Sequence, residues 1–210
     1  MVYFTPDFKT HSTDPIRLIK EQFRHVNWIF SVNKIPVNLV IFCIEELEGF
    51  VESSDSGQRL RDFAFAKTNF KAPKEDWFIL ADIKKLLKTA DMAILMTGTK
   101  ARRSLGRATI GPPSSISPPL AWVFPAPTSY HVLAHEIGHI FGCRHNREWA
   151  NPEEHEVNKS NYGYLMKESN IATIMAVRVA KVKRLPFFSS KDFKFGGKPI
   201  GDSQHDNRDV

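Results

Sequence analysis

The stretch His135 to His145, HEIGHIFGCRH, constrains this chain more than any other. On a helix, positions four apart lie on one face, so His135 and His139 project side by side and can share one metal ion. Glu136 is the next residue round that helix, close to the metal without needing to bind it. Gly142 falls one turn beyond His139, and His145 three residues later. A glycine reaches the left-handed conformation that ends a helix and reverses the chain, which would return His145 to the same ion. Three neutral imidazole nitrogens with a fourth position open are the donor set of catalytic zinc, not of a closed structural site. A helix with core histidines and a surface glutamate is the bland alternative. It does not account for five fixed positions of rare residue types in so short a span.

The same stretch resembles the long zinc signature of the metzincin metallopeptidases, H-E-x-x-H-x-x-G-x-x-H, and every fixed position matches. The resemblance implies a metzincin-type α/β (α+β) fold, with a mixed, mostly parallel twisted sheet flanked by helices. A smaller irregular C-terminal lobe would lie below the active-site cleft. It implies one catalytic domain, with residues 1–142 as the N-terminal lobe and 143–210 as the C-terminal lobe. One catalytic Zn2+ would be held by His135, His139 and His145, and Glu136 would act as general base.

Two further segments, Asn161 to Leu165 (NYGYL) and Thr173 to Ala176 (TIMA), resemble a block of the adamalysin-like metzincins. Met175 is then the methionine of the Met-turn, a soft apolar floor under the metal site. The segment RLPFFSSKDFKFGGKPIGDSQHDN resembles the tail of that subgroup. Leu185, Pro186, Phe187 and Phe188 would line or support a hydrophobic side-chain pocket, and a last helix would begin near His205. Asn146 stands where adamalysins carry aspartate, which keeps the shape and loses the charge. Val177 stands where astacins and serralysins carry tyrosine, so the adamalysin/reprolysin-like subgroup fits best.

The remaining chain reads as an alternation of helices and strands. Thr13 and Asp14 can cap a helix that Pro15 opens, and Ile16, Ile19, Phe23, Val26 and Phe30 recur at helical spacing. Val37 to Ile44 (VNLVIFCI) reads as a buried central strand, Trp77 to Leu87 as a helix, Met92 to Met96 as a strand and Leu120 to Phe124 as another. Strand, helix, strand at this spacing predicts a parallel sheet covered by helices. Ser104 to Gly111, bounded by Pro112, reads as an edge strand. In metzincins the strand at this point pairs with substrate, which makes Arg107, Ala108 and Thr109 candidate substrate contacts. His131, one turn before His135, reads as a neighbour of the metal site. Residues 146–160 read as an exposed acidic loop.

Composition supports a packed core, with 42% hydrophobic and 25% charged residues. The formal charge of +6 comes from scattered residues, with small clusters at Lys100 to Arg103 and Lys181 to Arg184. Neither cluster is interleaved with aromatic residues, so both read as solvated surface and no nucleic-acid partner is expected. No apolar run is long enough to cross a bilayer, and no basic region followed by an apolar one marks a signal peptide at the start. Secretion is expected from the resemblance alone. The two cysteines, Cys43 and Cys143, read as two thiols, with one disulfide between them as the alternative. The expected function is zinc-dependent cleavage of protein or peptide substrates. The alternative is a metzincin-shaped binding module that keeps zinc without turnover.

Overall fold

A computed structural model describes residues 1–68, 81–83, 90–102, 104–111, 119–125, 131–149, 160–177 and 182–207. The described chain divides into two compact units, one of Met1–Val26 with Leu39–Ile140 and one of Asn27–Asn38 with Phe141–Val210.

The first unit is built on a five-stranded sheet. Its strands are β1 (Val2–Phe4), β2 (Ile44–Glu46), β5 (Ala93–Met96), β6 (Gly106–Ala108) and β7 (Leu120–Val123). They stand in the order β2-β1-β5-β7-β6. Every pairing is parallel except that of β6, which runs antiparallel to β7 at the sheet's edge. This is the expected mixed, mostly parallel sheet, and 104–111 holds the expected edge strand. A short antiparallel pair, β3 (Lys67–Thr68) and β4 (Ala81–Asp82), lies beside it in sequence. Among the described residues the helices of the α/β pattern are α1 (Pro15–Val32), α2 (Ser56–Ala64) and α3 (Val132–Ile140). α1 starts as its sequence predicts, with the Arg17 amide donating to Asp14 Oδ1 at 2.9 Å. Ile19, Phe23, Val26 and Phe30 are buried, while Ile16 stays outside. The main core joins Tyr3, Leu47, Phe63, Ile83, Leu95 and Trp122.

Two expectations need correction. Val37 to Ile44 is not a buried central strand: pairing begins only at Ile44, β2 is an edge strand, and Val40 and Phe42 are 80% and 50% exposed. An apolar run signals a central strand only where strands flank both its sides, and among the described residues β1 alone is beside it. The helix read over Trp77 to Leu87 falls mostly outside the described residues; where it is described, Ala81–Asp82 is strand and Ile83 is helical.

The second unit holds a three-stranded sheet of β8 (Leu165–Met166), β9 (Ile171–Ala172) and β10 (Lys183–Arg184), in the order β10-β9-β8. A hairpin of β11 (Lys194–Phe195) and β12 (Lys198–Pro199) follows. Gly196 and Gly197 both have positive φ, 57° and 81°, as a tight two-residue hairpin turn requires. Met166, Ile171, Leu185 and Ile200 form its core. The last helix expected near His205 falls largely on residues 208–210, outside the described residues; just before it Asp202 and His205 make a bridge. Neither cysteine is in a disulfide; the Cys143 thiol donates to Asn207 O at 3.8 Å, and burial pushes it up to about 12.

Candidate metal centre

α3 carries the site because its sequence satisfies two demands at once. Leu133, Ala134, Ile137 and Ile140 bury its apolar face, and the histidines take the remaining face. The rings of His135 and His139 meet edge to face, 4.7 Å between centroids. Ile140 ends the helix, and Gly142 has φ 97°, the left-handed conformation that its position predicts. Three residues on stands His145. Its ligand atom and those of His135 and His139 all lie within 4.8 Å of one another. Three imidazoles converging on that scale, with no cysteine or carboxylate among them, match the donor set of an open zinc site.

The loop that carries His145 is held by backbone. The Arg144 amide donates to Asn161 O at 2.7 Å, the Gly163 amide donates to Arg144 O at 3.0 Å, and Asn161 Nδ2 donates to Gly142 O at 2.7 Å. Asn146, beside His145, is buried, and its Oδ1 accepts the Val177 amide at 2.9 Å. An aspartate could accept that bond equally. However, Asn146 Nδ2 also donates to Glu148 Oε2 at 3.2 Å, which an aspartate could not do.

Met175 is fully buried in a tight turn closed by the Ala176 amide on Thr173 O at 3.2 Å. Gly163 backs this turn, since a Cβ there would lie 2.5 Å from the Met175 carbonyl carbon. Sequence reasoning missed what else holds the turn. Arg184, read as solvated surface, turns inward instead. Its Nη1 donates to the carbonyls of Thr173, Ile174 and Ala176 at 3.4, 2.6 and 2.5 Å. Burial pulls its pKa down from the usual arginine value.

Glu136 is only 5% exposed, and its Oε2 has no hydrogen-bond partner among the described residues. Burial pushes the carboxyl up to about 8, opposed by the nearby positive charge of Arg107. Around it the edge strand is firmly laid. Arg107 pairs with Trp122 and Ala108 with Ala121 in β7, and the Thr109 amide donates to Leu120 O at 3.0 Å. The Arg107 guanidinium is exposed and reaches Ser56 Oγ at 3.2 Å. At the strand's far end the Gly111 amide donates to His139 O at 3.1 Å, tying this segment to α3. His131 stacks near His25, 5.8 Å between ring centroids.

The second unit places Leu185 in its core, 2% exposed, with Phe187 packed on the same cluster. Asn33 pins this segment: Nδ2 donates to Pro186 O at 2.9 Å, and Oδ1 accepts the Phe188 amide at 2.9 Å. The Ile174 amide donates to Phe187 O at 2.8 Å, which joins the segment to the Met175 turn. The acidic loop expected over 146–160 lies largely outside the described residues.

The chain matches the model of metallo-peptidase family M12, in its reprolysin-type form, over residues 36–189, well over half its length. It belongs to that family. No curated protein matches the sequence. A solved structure described as "Structure of a chaperone-substrate complex" shares the fold of this M12 chain, with a TM-score of 0.70 at 13% identity. The match covers 99% of this chain and 32% of that one, so this chain spans about a third of the other's length.

Proposed function

We propose that the protein is a zinc-dependent endopeptidase of protein or peptide substrates, acting outside the cell as its metzincin resemblance implies. Membership of the M12 metallopeptidases and the three converging histidines support the class. One observation carries the mechanism: a buried carboxylate oxygen without a hydrogen-bond partner stands one residue from the first histidine. A buried polar atom left bare is destabilising, by about 1–3 kcal/mol, so it calls for a functional reason.

His135, His139 and His145 would hold the zinc. When bound, zinc supplies Lewis acidity and brings the pKa of a water towards neutrality. The chain supplies the rest. Glu136 accepts the proton of the attacking water and delivers it to the leaving amine. An extended peptide would lie along the outer edge of β6, from Arg107 to Thr109, and add as a further strand through outward backbone groups such as those of Ala108. Met175 forms the floor of the site. Leu185, Pro186 and Phe187 support the pocket for one substrate side chain. Residues 1–142 and 143–210 are the two lobes of a single catalytic domain in this reading.

The test is peptide cleavage and zinc content measured together on wild type and Glu136→Ala. The variant is expected to keep one zinc per chain and lose cleavage by roughly 10²–10⁴-fold. Full activity in the variant sinks the mechanism. A wild type that binds zinc and cleaves nothing in a broad peptide library supports a binding module instead.

A further inference from the structure

We propose that Gly106 is the positioning residue of Glu136: the bare backbone of the edge strand forms one wall of a socket that holds the carboxylate by shape. The inference rests on the reading of Glu136 as the base. A Cβ built on Gly106 would meet Glu136 Oε1 at 2.5 Å, Cδ at 2.8 Å and Cγ at 2.8 Å. Those distances are below any tolerable contact, and they involve the stem of the side chain as well as its tip. Glu136 is buried, so it has little room to swing away.

Nor can the strand easily retreat. Gly106 is paired with Val123 in β7, the Phe124 amide donates to Leu105 O at 2.7 Å, and Ser104 Oγ donates to Gly106 O. Glycine weakens a strand, and inside one it marks a close approach by something else. Here the approaching group is a carboxylate. Gly106 is not among the residues with positive φ, so its backbone does not itself demand glycine. Among the described residues, the Cβ position facing Glu136 gives the reason for it. Because Glu136 Oε2 has no hydrogen-bond partner among the described residues, that side of the carboxylate is placed by packing.

The experiment is a double-mutant cycle on the zinc-loaded protein with Gly106→Ala, Glu136→Asp and the pair, and with Glu136→Ala as control. Metal content, kcat and KM are measured on each. Gly106→Ala is expected to lower kcat about 10²-fold, the scale of a misplacement near 1 Å, with zinc content and KM little changed. Aspartate is one methylene shorter and vacates the contested space. Adding Gly106→Ala to Glu136→Asp should therefore cost much less than adding it to wild type. In the Glu136→Ala background, Gly106→Ala should leave the melting temperature unchanged or raise it, because alanine suits a strand better. Wild-type kcat in Gly106→Ala, or equal losses in both backgrounds, overturns the proposal. If Glu136→Ala is inactive while Gly106→Ala is normal, the base stands and the socket falls. If Glu136→Ala itself is active, both fall.

Discussion

Two glutamates lie buried in the first unit, and their surroundings are opposite. Glu52, its side chain 2% exposed, is surrounded by donors. Its Oε1 accepts from Thr5 Oγ1 and the Gly98 amide, and its Oε2 accepts from the Thr99 amide and hydroxyl. Arg59, equally buried, stands 3.6 Å away and lies over the Trp122 ring. Glu136 is buried as well, and its Oε2 has no hydrogen-bond partner among the described residues. A satisfied buried carboxylate is a structural joint, whereas a bare one is held ready for something the chain does not itself contain. Burial alone does not separate the two; the count of donors does.

Mutation should pull the two apart. The largest effect falls on Glu136→Gln, which is expected to lower kcat by about 10²–10⁴-fold. The metal-free variant should melt no lower than wild type, because no donor loses its acceptor at Oε2; a drop of several degrees would put Glu136 in the structural class. Glu52→Ala is expected to do the reverse. It leaves the buried Arg59 charge without its carboxylate, which costs about 3–5 kcal/mol in urea unfolding. The fraction that remains folded should keep its kcat, and a specific loss of kcat would break the contrast.

The same contrast extends to the second unit with smaller effects. Arg184→Met removes the donor shared by three carbonyls of the Met175 turn and is expected to cost about 1–3 kcal/mol, with faster loss of zinc to a chelator. Unchanged zinc release would make Arg184 a joint like Glu52 and nothing more. Smallest is Asn146→Asp, expected to cost about 1 kcal/mol in urea unfolding, since it trades the bond to Glu148 for a like-charge contact. A gain in stability would show that a charge at 146 is welcome after all.

The metal centre was legible because it is local. Histidine spacing on one helix and a glycine that must reverse the chain are properties of eleven adjacent residues, and neighbours in sequence fix them. The parallel sheet was legible for a related reason, since β5 and β7 are short apolar runs with strands on both sides. What depends on distant partners was not. The pattern at Val37 to Ile44 is that of a buried strand, but whether a second strand arrives beside it is decided elsewhere in the chain. Arg184 sits in a basic run that composition assigns to water; only the carbonyls of 173–176 turn it inward. Gly106 stands inside the expected edge strand with no signal of its own. Its meaning comes from a side chain thirty positions later, which no local pattern reveals.

The division of the chain has a consequence for how the protein comes to be made. The second unit draws on Asn27–Asn38 and on Phe141–Val210, with most of the first unit encoded in between. The bond from Phe188 to Asn33 closes a loop of 155 positions. Such closures are entropically late, and topologies rich in them fold slowly. During synthesis the end of α1 must therefore wait, part of its apolar stripe uncovered, until Phe188 has emerged. The first unit has no such delay once Ile140 is out. Nascent chains stalled before residue 188 should hold a folded first unit and a protease-sensitive Asn27–Asn38 segment, and the whole protein's yield should depend more on refolding time than on its final stability.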